Sequence, residues 1–191
     1  MPGPRAQPTR DAFKIGGIEF EDERIAFPDW AAKKPTTPFG SVPVLTVGDV
    51  VITQSNAILR YAGVRSGLYP KDPLEAAKVD EVNDVIEDFI ATKLGPTINM
   101  EDKEKQKVLR EELANKTIPD LATRLTAVIE KNQGNGYVIG GKLSVADLKL
   151  YYTLGWLKSG KLDHIPTTVV DSFTTLNTIA ANVHKALENI K

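Results

Sequence analysis

The chain has 191 residues, 41% of them hydrophobic and 26% charged, with 24 basic side chains against 25 acidic ones and a net charge of −1. That length can bury a real core in one large or two small domains, and the charge balance gives no drive toward nucleic acid or an anionic membrane. No run is apolar enough to span a bilayer, and the absence of cysteine excludes disulfides and thiolate metal sites and suits a reducing compartment.

Met1 to Pro8 contains Pro2, Pro4 and Pro8 and no apolar stretch, so it does not read as a secretory signal. Residues 10–16 read as the end of a helix closed by Gly16-Gly17. Ile18-Glu19-Phe20-Glu21 alternates like a strand with one buried face. Pro28 to Pro38 is a loop with a short helical patch that carries Trp30 and Lys34, four residues apart and on one face if that patch is helical. Val44–Val47 and Val50–Ile52 are β-branched runs joined by Gly48-Asp49, a hairpin signal. Ser55 opens a helix that Gly63 is expected to close.

Residues 66–73 read as a linker. Beyond them the period changes. Val79, Val82, Ile86, Phe89 and Ile90 lie on one helical face, and Gly95-Pro96 ends or kinks that helix. A second long helix carries Leu121, Leu125, Val128 and Ile129 and closes at Asn135-Gly136. Ser144-x-x-Asp147 is a capping box opening a third helix through Tyr151 and Tyr152. Phe173, Leu176, Ile179, Val183 and Leu187 mark a last amphipathic helix. The reading is therefore α/β plus all-α: a small N-terminal unit over residues 1–66 and an all-helical unit over residues 74–191. His164 and His184 have no ligand grouping around them, so no metal site is expected.

The run Phe39-Gly40-Ser41-Val42-Pro43-Val44-Leu45, then Gln54-Ser55-Asn56-Ala57-Ile58-Leu59-Arg60-Tyr61, and finally Gly140 through Asp147 resembles the cytosolic glutathione transferase family. The sigma group and its alpha, mu and pi relatives are the most similar. The resemblance runs from about Arg5 to the C-terminus. It implies a thioredoxin-like N-terminal domain, an all-α C-terminal domain, a cytoplasmic homodimer, glutathione as co-substrate with no other cofactor, and a hydrophobic electrophile as second substrate, in the service of detoxification.

Residue by residue, the resemblance implies a site for a tripeptide with two carboxylates, an ammonium and a thiol. Val42-Pro43 would be a cis bend whose backbone pairs with the cysteinyl unit; the alternative is an ordinary trans Val-Pro. Gln54-Ser55 would hold the γ-glutamyl carboxylate at a helix start; the alternative is a plain Ser cap. Trp30 and Lys34 would meet the glycine end, or else be a half-buried Trp and a solvated Lys. Arg5 would support the γ-glutamyl group or the thiolate, or be a mobile terminal arginine. Asp88 would reach the ligand's ammonium across a dimer, or be a solvated carboxylate. Phe39 would plug a partner's helical domain, or pack within its own domain. The electrophile pocket would lie between the domains near Ile98, Met100 and the helix after Glu87.

Two departures from the family pattern stand out. No tyrosine, serine or cysteine lies in the first forty residues, and counting back from Arg5 to the family's tyrosine passes Met1. The first β-strand is therefore expected to be missing and transferase activity to be weakened. Arg5 and Thr9 are then the candidates to stabilise a thiolate. Three explanations stay open: a truncated product, a substitute strand from residues 1–8, or a non-catalytic binding or crystallin-like structural relative. Ser41 stands where relatives usually have Gln, which removes one contact to the glycine end.

Overall fold

The computed structural model describes residues 5–190. Helix α1 (Gln7–Ile15) carries Pro8 in its first turn, where a missing N–H costs nothing. It ends in a Schellman turn: Gly17 takes φ +62° and the Ile18 N–H donates to the Phe13 carbonyl at 2.9 Å. Residues 7–8 are thus the first turn of a helix and not a substitute strand; Met1 to Pro4 lie outside the described residues.

The alternation at Ile18–Glu21 is real, with Ile18 and Phe20 on the core and Glu19 and Glu21 exposed. It nevertheless forms no strand. Among the described residues nothing runs beside it to complete a ladder, and beyond the Ile18 N–H bond to Phe13 it is held by side-chain packing, with the Phe13 and Phe20 rings 5.5 Å apart. The only sheet among the described residues is the expected hairpin, β1 (Val44–Val47) antiparallel to β2 (Val50–Thr53), with Val47 opposite Val50 and Gly48 turning at φ +58°. Ahead of β1, Trp30–Lys33 (α2) is a single helical turn flanked by 3₁₀ turns.

Helix α3 (Ser55–Ser66) runs through Gly63 and stops at Gly67, which takes φ +75°. Gly63 does not end the helix; it makes room for Val145. Asp72 caps α4 (Pro73–Asp88), accepting from the N–H groups of Leu74 and Glu75. The chain continues through a π-helical turn at Phe89–Leu94 and a 3₁₀ turn at Gly95–Thr97.

Helix α5 (Lys103–Glu112) has no counterpart in the sequence reading. Its inward face is polar: Gln106 and Arg110 are buried and both donate to Thr97, so no apolar period announces it. Helix α6 (Ile118–Lys131) ends at Asn132, short of Asn135-Gly136, because Gln133 already takes φ +53°. Helix α7 (Val145–Leu157) lies at the centre, touching α1, α3, α4 and α8 (Thr174–Glu188). One apolar cluster runs from Ala12 and Phe13 through Leu59, Val79 and Leu148 to Val183, so the two halves share a continuous core.

Candidate functional site

A cleft of about 1160 Å³ opens beside the hairpin. Its walls are the start of α1 with Arg5 and Thr9, the extended segment Ile18–Ile25, the bend Val42–Pro43 with β1, and the inner face of α3 at Ile58 and Tyr61. The helical half contributes Ile90 and Trp156. The expected Ile98 and Met100 are not among the lining residues; Ile98 is turned onto the core, and from the helical half Ile90 and Trp156 line the cleft.

The Val42–Pro43 peptide bond is cis, and Val42 is exposed on the cleft wall. Gly40 takes φ +60°, and the Lys34 side chain lies against it: a Cβ there would sit 3.4 Å from Lys34 Cε. Lys34 therefore runs toward the bend, one helical turn from Trp30, whose carbonyl its N–H contacts. Trp30 is half-buried and does not line the cleft, whereas Lys33, Thr36 and Thr37 do.

Gln54, not Ser55, occupies the cap position of α3, and no side chain caps that helix. Its first backbone bond is Ile58 N–H to Gln54 carbonyl, which leaves the N–H groups of Ser55, Asn56 and Ala57 without helical acceptors. Gln54 takes φ +68°, a region that non-glycine residues avoid. The plain-cap alternative for Ser55 does not hold. Its hydroxyl instead donates to Glu87 Oε2 at 3.4 Å.

Glu87 is the residue that sequence reasoning passed over. Its carboxylate accepts from Arg5 Nε at 2.9 Å and from Lys149 Nζ at 2.8 Å, besides Ser55. Arg5 is thus docked by an ion pair and is not a free terminal side chain. Burial pushes the Glu87 carboxyl up, but hydrogen bonding and charge from Lys149 and Arg5 outweigh it and hold the group below the usual carboxylate range. Lys149 is 1% exposed, and this burial lowers its ammonium against the pull of Glu87 and Asp84. It also donates to Asn56 Oδ1 in α3. Glu87 and Lys149 are 62 positions apart, so no local pattern links them.

Asp88, the neighbour chosen from the sequence, faces outward; among the described residues its carboxylate makes no hydrogen bond or ion pair. Phe39 is 72% exposed, so it does not pack within its own domain. Thr9 is buried at the cleft wall with a hydroxyl that has no partner among the described residues. Tyr152 donates to the buried Asp11, which also accepts from Gln7 Nε2 at 3.0 Å, and burial with this contact raises the phenol's pKa. That pair joins α7 to α1. Among the described residues no group of three metal-ligating side chains comes together, and no helix is long and apolar enough to cross a membrane.

Residues 1–63 match the family described as glutathione S-transferase, N-terminal domain, and residues 87–191 match glutathione S-transferase, C-terminal domain. The chain is 39% identical over 147 residues to glutathione S-transferase 1 of Ascaris suum, an alignment covering 73% of this chain and 68% of the relative. It is 37% identical over 143 residues to hematopoietic prostaglandin D synthase of Gallus gallus, covering 75% and 69%. The structure of prostaglandin synthase D of Nilaparvata lugens superposes with a TM-score of 0.87 at 28% identity, over 98% of this chain and 91% of that one. With a thioredoxin-like N-terminal half and a helical C-terminal half matched in order, this chain belongs to the glutathione S-transferase family.

Proposed function

We propose that the chain binds reduced glutathione in this cleft and transfers its thiolate to soft, hydrophobic electrophiles. One observation carries the reading: Glu87 ties Arg5, at the cleft's edge, to Ser55, at the uncapped start of α3. A cation and a row of free amides are thereby held together beside an exposed backbone bend, as a tripeptide with carboxylates at both ends requires.

In this reading the γ-glutamyl carboxylate takes the amides at Ser55–Ala57, the cysteinyl backbone runs along Val42, and Lys34, with Trp30 one helical turn behind it, meets the glycine carboxylate. A free thiol titrates at about 8.5, so only a few per cent is thiolate at neutral pH. The Arg5 guanidinium and the uncapped start of α1 favour the anion, and Thr9 supplies the hydroxyl on that wall. The sulfur then attacks the electrophilic carbon, the leaving group departs with the bonding pair, and the thiol proton goes to solvent. Ile90 and Trp156 give the electrophile an apolar surface. Catalysis is by proximity and by stabilising charge.

Within this reading the chain is sigma-like, cytoplasmic and homodimeric, with residues 1–66 and 74–191 as its two units, exposed Phe39 anchoring the partner and outward Asp88 reaching the partner's ligand. A binding protein without turnover is the second reading. It is favoured by Thr9 being the sole hydroxyl that α1 presents to the cleft. Calorimetry with reduced glutathione, beside a conjugation assay with an aryl halide, tests both. Saturable heat with turnover that Arg5→Ala lowers supports the transferase; heat without turnover selects the second reading; no heat at millimolar glutathione overturns both.

A further inference from the structure

Lys149 presents a physical puzzle. It is a full charge, 1% exposed, in the middle of the central helix α7. An ammonium in that place carries a heavy desolvation penalty, and an apolar side chain of similar volume would fill the space without it. Packing therefore does not explain why a lysine is there. Its contacts point elsewhere. One N–H goes to Asn56 Oδ1, next to Ser55 at the start of α3, and Asn56 Nδ2 in turn donates to Asp84 Oδ1 at 2.6 Å. A second goes to Glu87 Oε2 at 2.8 Å. Glu87 then holds Arg5 and Ser55.

We propose that Lys149 is the positioning residue of the glutathione site: from the helical half it pins Asn56 and Glu87, and through them fixes the α3 amides, Ser55 and Arg5 in the geometry that grips the tripeptide. This rests on the glutathione reading above. Lys149 touches no part of the ligand and moves no proton. It acts because a carboxylate shared between Arg5 and Lys149 has one place to sit. With Lys149 gone, Glu87 follows the half-exposed Arg5 toward solvent and Ser55 loses its acceptor.

Three variants test this in the full chain, by calorimetry with reduced glutathione and by urea unfolding. Lys149→Met raises the dissociation constant roughly tenfold, the equivalent of one lost charge-assisted hydrogen bond. In the conjugation assay KM for glutathione rises by the same factor, and kcat per folded molecule falls by no more than it does in Arg5→Ala, since Arg5 is the one thiolate-stabilising group that Lys149 positions. Lys149→Met with Glu87→Leu replaces the ion pair by apolar groups; it recovers the urea midpoint but not the affinity. Glu87→Gln keeps the shape without the charge and weakens binding as Lys149→Met does.

A double variant that regains both midpoint and affinity would mean that Lys149 serves stability alone, and the proposal fails. So it does if the wild type binds and the Lys149 and Glu87 variants bind equally well. A wild type that gives no heat instead overturns the underlying glutathione reading, whatever the variants do.

Discussion

Gly63 of α3 and Val145 at the start of α7 approach so closely that a Cβ on the glycine would lie 2.6 Å from Val145 Cγ1. The Val145 N–H donates to the Leu68 carbonyl at 3.0 Å, and the Asp147 carboxylate anchors the same helix start, so α7 cannot back away. Gly63→Ala therefore overpacks the junction of the two halves and is expected to lower stability by about 1–3 kcal/mol. Adding Val145→Ala opens the space and restores most of the loss. Urea midpoints of the single and double variants decide the matter; additive losses would show that the contact is not the cause.

Gln54 holds a backbone conformation that only glycine adopts freely, at an estimated ~1–3 kcal/mol of strain. Glycine there adds only ~0.5–1 kcal/mol of unfolded-state entropy. Because the Gln54 side chain is exposed and makes no hydrogen bond among the described residues, the strain term wins. Gln54→Gly should thus raise the urea midpoint while weakening glutathione binding, because the amides of α3 lose the residue that aims them. A midpoint that falls would place the strain elsewhere.

These contrasts explain what was legible in the sequence. The hairpin, the Val42-Pro43 bend and the Gln54-Ser55 helix start are specified by residues within a few positions of one another, through turn chemistry and β-branching, and the structure contains all three. The apolar faces of α4, α6 and α8 are equally plain, and α7 is announced by its Ser144-x-x-Asp147 capping box. Helix α5 was invisible because the face it buries is made of Gln106 and Arg110. Ile18–Glu21 was over-read because alternation specifies which face is buried, whereas a strand also needs a neighbour. The Arg5–Glu87–Lys149 arrangement joins residues 82 and 62 positions apart, and only the packing of α4 and α7 brings them together.

Phe39 and Phe27 are 72% and 92% exposed, and Phe39 stands on a loop beside the cleft. If Phe39 anchors a partner, Phe39→Ser removes the aromatic at the centre of a pocket and should weaken association by roughly tenfold or more, since such anchors carry most of an interface's energy. Sedimentation velocity across a concentration series reads the shift directly. An unchanged self-association, or a wild-type chain that remains monomeric at tens of micromolar or so, sets the plug aside.

Asp147 and Glu87 give the acid range two opposing slopes. Burial pushes the Asp147 carboxyl up from 3.8 to about 6, against the hydrogen bonds it accepts from the Ser144 hydroxyl, the Val138 N–H and the Ser144 N–H. A carboxyl raised in the fold binds its proton more tightly there than in the unfolded chain. Its stabilising term is therefore full below about 3.8 and is lost as pH rises through about 6. Glu87 runs the other way. Burial raises it, Lys149 and Arg5 outweigh burial, and the net lowering means a term present above its ordinary 4.5 and lost as pH falls through the folded value. Between 3.8 and 4.5, where the two windows overlap, the slopes partly cancel. Glu87→Gln should accordingly remove the loss of stability on acidification below about 4.5. Asp147→Asn should remove the decline between about 4 and 6 and, by orphaning the acceptor side of the cap, cost about 1–3 kcal/mol at neutral pH. Urea midpoints from pH 3 to 8, taken for both variants, test the signs independently: the slopes must change in opposite directions, and a parallel displacement of the two curves would refute the assignment.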